Sequence, residues 1–485
     1  MSKKNNYLLP IIVSFFLFAM ISFVTGFQNP FGVILKEQLS LSNLQSQLGN
    51  FANFIAYAFM GIPAGIILQK KGYKFSAIAA VVVGLVGVAL MFVSSMFADA
   101  NTIFAVYLSG AFVAGFSMCM LNTVVNPMLN SLGGGGKRGN QLLQFGGASN
   151  SLAATICPVL VGYLMGSNLR GVSLIDARPA LYIAMGIFLL ALIVLVLSKL
   201  PEPTLAADAK DEQPKMTGAL KFRHFVLGVL AIFLYVGVEV GIPNMANLYM
   251  TTATQTEAKA TVDEYNKQQA DAAYLAECVA ADKAGADTDG YQPRVVTEAD
   301  MAKAVEIQDG NSPSGLGVAA GVAGSMVGMY WFLMLIGRLG GGALGGMLSS
   351  RVMLAGVSAL AVAFMLLAMF MSPEIMVSMP GFKDMSFSMH KLPVNILFLI
   401  LCGLCTSVMW GGIFNLAVEG LGKYTAVASG LFMMMVCGGG VLPLIQGAVA
   451  DGFGYLVSYI VPFVGVVYIL AYALFLSRPT KSVKG

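Results

Sequence analysis

The stretch PALYIAMGIFLLALIVLVLSK at residues 179–199, followed by LPEPTLAADAKDEQPKMTGALK at 200–221, decides how the whole chain is read. The first part carries no charge between Arg178 and Lys199. A bilayer core of about 30 Å needs ~20 such residues as a helix, so this part is long enough to cross a membrane. The second part ends the apolar run with Pro201, Pro203, Asp208, Lys210, Asp211, Glu212, Pro214 and Lys215. Working outward, five comparable apolar runs precede it, near 8–35, 46–69, 75–97, 102–129 and 141–166. Six more follow, near 222–250, 315–348, 352–371, 392–421, 424–449 and 455–477. The predicted architecture is therefore an all-α membrane protein with twelve transmembrane helices in two six-helix bundles. The first bundle covers 1–199, the linker 200–221 and the second bundle 222–485.

Composition points the same way. Of 485 residues, 57% are hydrophobic and 11% charged, and the mean hydropathy is +0.78. A soluble domain draws about 25% of its residues from the four charged types. A chain this apolar cannot cover its own surface in water, so lipid is its expected solvent. Lys3 and Lys4 precede an apolar run, as in a secretory signal, but no small-x-small cleavage site follows, so that run reads as a retained first span. Five of the six cysteines lie inside apolar runs, and the Cys402-x-x-Cys405 pair reads as packing rather than as a redox or metal motif.

Orientation follows from lysine and arginine. With an even number of spans, the termini, the linker and alternate short loops share one side. That side holds Lys3, Lys4, Lys70, Lys71, Lys74, Lys137, Arg138, Lys199, Lys210, Lys215, Lys221, Arg223, Arg351, Lys423, Arg478, Lys481 and Lys484. The short loops opposite hold Lys36, Arg170, Arg178, Lys383 and Lys391. Both termini are expected in the cytoplasm and the protein in the cell membrane. One segment breaks the symmetry. Residues 251–312 are polar and Ala-rich, carry twelve acids against five bases, and fall on the outer side. A solvated helical cap over 257–283 or a flexible loop is the plain reading; docking of a partner is the other.

The halves repeat. Asn126 stands seven residues before Gly133, and Asn415 seven before Gly422, with Leu132 and Leu421 before each glycine. Downstream, Pro158-Val-Leu-Val-Gly162 echoes Pro443-Leu-Ile-Gln-Gly447. Repeated halves are a recurring feature of secondary transporters, whose substrate sits near the midplane between them.

Polar residues inside spans are costly unless they face a cavity or one another. The first half offers Gln28, Asn29, Asn50, Asn53, Asn122, Asn126, Gln141, Gln144 and Asn150. Any one of them can serve as helix–helix glue, but the set exceeds what glue requires. Amides both donate and accept, which suits sugar hydroxyls. The ionisable residues in spans are Glu239, Arg338 and Glu419. Glu239, in Tyr235-Val-Gly-Val-Glu-Val-Gly241, is a functional candidate by default and a potential proton site; a structural pair with an unnamed partner is the alternative. Arg338 reads as a snorkelling or helix-locking residue and Glu419 as interfacial. Trp410, five residues before Asn415, is preferred over Trp331 as an aromatic wall for a sugar ring. The glycine run at 133–136 lacks the GK[ST] ending of a phosphate loop. His224 and His390 fall at span edges, so no metal site is expected.

Gly65-Ile-Ile-Leu-Gln-Lys-Lys-Gly-Tyr-Lys74 resembles the signature of the major facilitator superfamily between spans two and three, with Gln69 where that signature has an acid. More narrowly, the chain resembles the fucose–galactose–glucose symporter family. The resembling stretches are Asn29-Pro30, Ile62-Pro-Ala-Gly-Ile66, Phe233-Leu-Tyr-Val-Gly237, Ile336-Gly-Arg338, Ile413-Phe-Asn-Leu416 and 438–451. Leu121-Asn-Thr-Val-Val-Asn-Pro127 is similar to that family's L-E-T-A-A-N-P pattern. The resemblance spans both halves but not the insertion, and it implies the major facilitator fold and monosaccharide transport. In that family an acid in span one and an acid in span four serve proton coupling and sugar binding. The matching positions here are Asn29 and Asn122, so that proton site does not carry over.

The expected function is import of a monosaccharide by alternating access. Asn29, Asn122, Asn126, Gln144, Asn150, Asn415 and Trp410 would bind sugar, and Glu239 is the coupling candidate. No cofactor is expected beyond a coupling proton or sodium ion. Expected partners are the sugar and the bilayer, without nucleic acid, and the chain is expected to act as a monomer. An uncoupled facilitator, a drug or peptide exporter and a nutrient sensor on the same scaffold remain alternatives. No nucleophile–base or metal constellation in the spans points to an enzyme.

Overall fold

The computed structural model describes residues 8–26, 28–39, 41–132, 136–164, 173–198, 200, 216–270, 296–344, 348–383, 386–421 and 431–478. Its N-terminal half comprises α1 (Leu8–Gly26), α2 (Gln28–Leu39), α3 (Leu48–Ser94), α4 (Ala100–Leu132), α5 (Gly136–Leu164) and α6 (Arg178–Leu197). The other half begins with α7 (Arg223–Thr251). It continues through the insertion helices α8 (Gln255–Ala270) and α9 (Glu298–Gln308), then α10 (Ala320–Leu344) and α11 (Ser350–Phe370). After the strands β1 (Met376–Lys383) and β2 (Ser386–Pro393) come α12 (Val394–Thr406), α13 (Met409–Val418), α14 (Gly438–Phe453) and α15 (Ile460–Ala471).

Eleven segments among the described residues are long and apolar enough to cross a membrane. Two of them lie within α3, which turns at Gly72, a residue with φ of 80°. The twelfth span is α5, 29 residues long. Its lower hydropathy has a structural reason: α5 packs against α1 on one side and against α10 of the opposite half on the other. A helix enclosed by protein need not be apolar all round. The two halves meet along α5 and α10 and along the first span of α3 and α14. The expected architecture of twelve helices in two bundles is the one observed.

Asn29, in the run at 8–35, lies on α2. One apolar run differs from its sequence reading as an unbroken span. The run at 392–421 breaks between Thr406 and Met409. The stretch between α11 and α12, read from sequence as a short loop, is a β-hairpin in which Met376 pairs with Pro393 and Lys383 with Ser386.

The halves repeat at their ends. Lys74, at the start of its span, donates to the Val196 and Ser198 carbonyls (3.0 and 2.8 Å) at the end of α6. Arg351, at the start of α11, donates to Ser477 in the same way, to Oγ at 3.3 Å and to the carbonyl at 3.5 Å. In both halves a basic side chain covers carbonyls that the helix end leaves without a donor. These contacts lie on the face that carries the termini, called proximal below; the opposite face is distal.

The insertion is partly described. Helices α8 and α9 form an antiparallel pair around Ala258, Ala304 and Ile307, with Gln255 Nε2 donating to the Ile307 carbonyl at 2.7 Å. Of the helix expected over 257–283, residues to Ala270 are helical, and 271–283 lie outside the described residues. The chain then returns along the end of α7, with Gly315 N–H on the Ala253 carbonyl and Leu316 N–H on the Tyr249 carbonyl. Most of the linker, the 133–135 glycines, Gly422 and Cys278 also lie outside the described residues.

Candidate functional site

A cavity of about 520 Å³ lies where the halves meet, within the ~300–1,000 Å³ typical of small-molecule sites. The N-terminal half lines it with Phe18, Ile21, Ser22, Thr25, Phe54, Tyr57, Asn122, Asn126, Gly147 and Asn150. The other half contributes Val236, Glu239, Val240, Trp331, Arg338, Ser407, Trp410, Gly411, Phe414, Asn415, Met433 and Val436. Six residues singled out from sequence therefore converge here: Asn122, Asn126, Asn150, Glu239, Trp410 and Asn415. Asn29 and Gln144 lie on α2 and α5, and their side chains are outside those described.

The amides are held in set orientations. Asn122 Nδ2 donates to Tyr57 OH at 3.0 Å and to the Met118 carbonyl at 3.1 Å. Asn126 Nδ2 donates to the Asn122 carbonyl at 2.8 Å, and Asn150 Nδ2 to the Phe18 carbonyl at 3.2 Å. Asn126 Nδ2 also approaches Asn122 Oδ1 at 3.4 Å, and each amide oxygen has a lone pair with which it can accept from a hydroxyl. Asn126 on α4 and Asn415 on α13 are the equivalent residues of the sequence repeat. They face one cavity from opposite halves.

Two other amides from the same sequence set act differently. Asn50 Nδ2 donates across the halves to the Gly439 carbonyl at 2.7 Å, and Asn53 Nδ2 to the Ala111 carbonyl at 3.3 Å. Both side chains are buried and outside the cavity lining; they join helices. Proline explains the first. Pro443 has no N–H, so the carbonyl four residues earlier, on Gly439, lacks its helical donor, and Asn50 supplies one.

The same logic places the ionisable pair. Pro243 on α7 leaves the Glu239 carbonyl without its helical donor, and Tyr330 OH on α10 takes it at 3.2 Å. About two helical turns beyond Trp331, Arg338 extends its guanidinium to Glu239 Oε1 at 3.1 Å. The other terminal nitrogen of Arg338 donates to the Gly147 carbonyl and to Ser151 Oγ, both at 2.8 Å, on α5 of the opposite half. Arg338, read from sequence as a helix lock, thus joins three helices and also lines the cavity. The pair neutralises itself in a medium where a lone charge would be costly.

Aromatic rings form the rest of the wall. Trp410 meets Tyr235 (6.2 Å between centroids, 60°) and Phe432 (5.8 Å, 83°), both edge to face. Phe54 stacks on Tyr57 at 6.0 Å. Trp331 shares the lining, and its Nε1 is buried with no hydrogen-bond partner among the described residues. Sequence reading ranked Trp331 below Trp410 because only Trp410 shares a repeated span with a polar residue; the azimuth of α10, which brings Trp331 inward, leaves no such mark.

A twelve-helix bundle with duplicated halves and a central polar cavity defines a membrane carrier, and comparison with known proteins fixes its class. The Major Facilitator Superfamily sequence model matches residues 13–262, and the chain belongs to that superfamily; it is a multi-pass membrane protein. It is 24% identical over 487 residues to the glucose/galactose transporter of Brucella abortus biovar 1, covering 98% of this chain and 96% of the relative. It is 26% identical to the putative glucose/galactose transporter of Helicobacter pylori, covering 94% of each. The crystal structure of the Escherichia coli fucose:proton symporter superposes with a TM-score of 0.62 at 21% identity, over 98% of this chain and all of that one.

Proposed function

We propose that this protein is a secondary active transporter that imports a monosaccharide (a hexose, deoxyhexose or amino sugar) by alternating access, with Glu239 as the proton-coupling residue. The observation that carries the reading is the cavity itself. Amides from both halves and two indoles surround a single ion pair, at the place where the halves must separate and rejoin. Hydroxyl groups can exchange hydrogen bonds with Asn122, Asn126, Asn150 and Asn415, while the C–H face of a sugar ring packs on Trp410 or Trp331. Asn29 and Gln144 complete the set proposed from sequence. The names of the full-length relatives, glucose/galactose transporters and an L-fucose-proton symporter, support a sugar and a proton.

The coupling follows from what Arg338 holds. While Glu239 is ionised it neutralises Arg338. A proton on Glu239 removes that charge, and the guanidinium is left with the neutral oxygens of Gly147 and Ser151 in the opposite half. The strength of a contact between halves then depends on the proton, as coupling requires: a ligand shifts a conformational equilibrium only through differential interaction with the two states. The lysine and arginine distribution supports cytoplasmic termini in the cell membrane, which makes the distal face extracytoplasmic. The halves, 1–199 and 222–485, rock about the linker 200–221. The cavity is complete within one chain, which supports a functional monomer.

Uptake of radiolabelled fucose, galactose, glucose and N-acetylglucosamine into proteoliposomes, with a proton gradient, a sodium gradient or neither, tests the proposal. Accumulation above equilibrium driven by the proton gradient is expected. Accumulation driven by sodium alone would move the coupling site away from Glu239, and equilibration without accumulation would make the protein a facilitator. Absence of sugar flux in folded, reconstituted protein would overturn the assignment.

A further inference from the structure

The distal ends of the two halves are joined by a compact group of polar contacts. Asp451, in the last turn of α14, accepts the backbone N–H groups of Asn43 (2.8 Å) and Leu44 (2.9 Å), in the connection between α2 and α3. Lys36 on α2 donates to Asn43 Oδ1 at 2.7 Å and crosses to the other half at Tyr455 OH (2.9 Å) and Thr252 Oγ1 (3.2 Å). Tyr455 OH donates in turn to Asn43 Oδ1 at 2.9 Å. The backbones themselves touch, since a Cβ on Gly447 would lie 2.8 Å from the Asn43 carbonyl oxygen. From the insertion, Lys303 adds a bond to the Lys36 carbonyl at 3.2 Å.

A second observation comes from the sequence around Asp451. Gly447-Ala-Val-Ala-Asp451-Gly-Phe-Gly454 has the spacing of Gly65-Ile-Ile-Leu-Gln69-Lys-Lys-Gly72. The closing glycine of each is left-handed, with φ of 89° at Gly454 and 80° at Gly72. The same turn therefore occurs at opposite faces of the molecule. The proximal copy carries an uncharged glutamine where the distal copy carries an acid, and that acid binds the opposite half.

We propose that Asp451, supported by Lys36, is a latch that biases the empty carrier toward the distally closed state, so that entry of substrate from that face begins with its release. The inference rests on the alternating-access reading, but not on which sugar is carried. Carboxylate bonds to backbone amides are charge-assisted and stronger than neutral ones. Losing one such bond shifts a two-state equilibrium by about tenfold.

The test is a spin-label distance measurement across the distal face. Asn101→Cys and Glu374→Cys place labels at exposed positions on the distal ends of the two halves, in a Cys278→Ser background; the five remaining cysteines are buried. Without sugar or gradient, the intact latch should give mainly the shorter distance. Asp451→Asn should enlarge the longer-distance population about tenfold. An unchanged distribution in folded Asp451→Asn protein overturns the proposal. If that variant is not recovered folded, Lys36→Met, which leaves both carboxylate bonds in place, is read by the same criterion. Because no substrate is present, a distance shift in protein that moves no sugar would leave the latch standing while the transport assignment fell.

Discussion

Pro243 and Pro443 each remove an amide hydrogen from the interior of a crossing helix, and in each case a side chain from another helix takes the freed carbonyl. Tyr330 binds Glu239 in one case and Asn50 binds Gly439 in the other. Asn50→Leu should leave the Gly439 oxygen unpaired between the halves and cost about 1–3 kcal/mol, read as a lower melting temperature in detergent. In the cavity the expected effects are on transport instead. Asn122→Leu should abolish uptake in a protein that still folds and inserts; unchanged uptake would remove Asn122 from the site. Glu239→Gln should keep exchange of labelled for unlabelled sugar across the membrane but lose accumulation against a gradient, since an amide cannot carry the proton. Accumulation equal to that of the parent would show that coupling lies elsewhere. Asn126, Asn150, Asn415 and Glu239 were legible in the sequence because a polar group in an apolar run is anomalous by itself. Trp331 ranks second there to Trp410; Tyr57 and Phe54 do not stand out, because a tyrosine or phenylalanine in a membrane span suits lipid, protein or cavity equally. Asn50 was legible as polar but not as a bridge. The signal was present all the same, in a proline four residues beyond the carbonyl it serves.

Among the elements, the apolar spans follow from hydropathy alone, and their closest approaches follow from glycine. Gly438, at the start of α14, lies against the Phe233 carbonyl of α7 so closely that an added Cβ would overlap it. Gly403 of α12 meets the Tyr330 carbonyl of α10 in the same way. Gly438→Val should therefore push α14 from α7 and lower stability by about 1–3 kcal/mol or more, measured as thermal unfolding or as loss of monodisperse protein on extraction. A variant that melts with the parent would mean the helices separate without cost. The β-hairpin at Met376–Pro393 escaped a reading based on apolar length. Its alternation is masked by Pro380 and Gly381, while Met379 and Leu392 are buried. Helix α5 is the converse case. Its run was legible in sequence although polar residues dilute the hydropathy; of these, Asn150 lines the cavity and Ser151 accepts from Arg338 of α10.

For the molecule as a whole, duplication explains the cavity and the insertion departs from it. Asn126 and Asn415 converge because two copies of one helix pair face each other, and Lys74 and Arg351 cap corresponding helix ends for the same reason. The insertion has no counterpart in the N-terminal half, and among the described residues none that lines the central cavity belongs to it. Its roots lie close together, with Gly315 N–H on the Ala253 carbonyl at 2.8 Å and Gln255 on the Ile307 carbonyl at 2.7 Å. A short Gly-Ser turn can therefore replace residues 256–310 without pulling on α7 or α10. Such a variant keeps the cavity, the Glu239–Arg338 pair and the Asp451 bonds. It loses the contact from Lys303 to the Lys36 carbonyl. Sugar uptake should stay within about threefold of the parent, the range expected when only loop-closure entropy changes. The longer-distance population across the distal face should rise less than in Asp451→Asn, because a single bond of 3.2 Å is lost where that variant weakens two of 2.8 and 2.9 Å. If uptake instead vanished in folded protein, the insertion would belong to the path of the substrate, and the cleft between it and the distal end of the bundle, lined by Lys36, Thr252, Glu257 and Lys303, would have to be crossed before the latch opens.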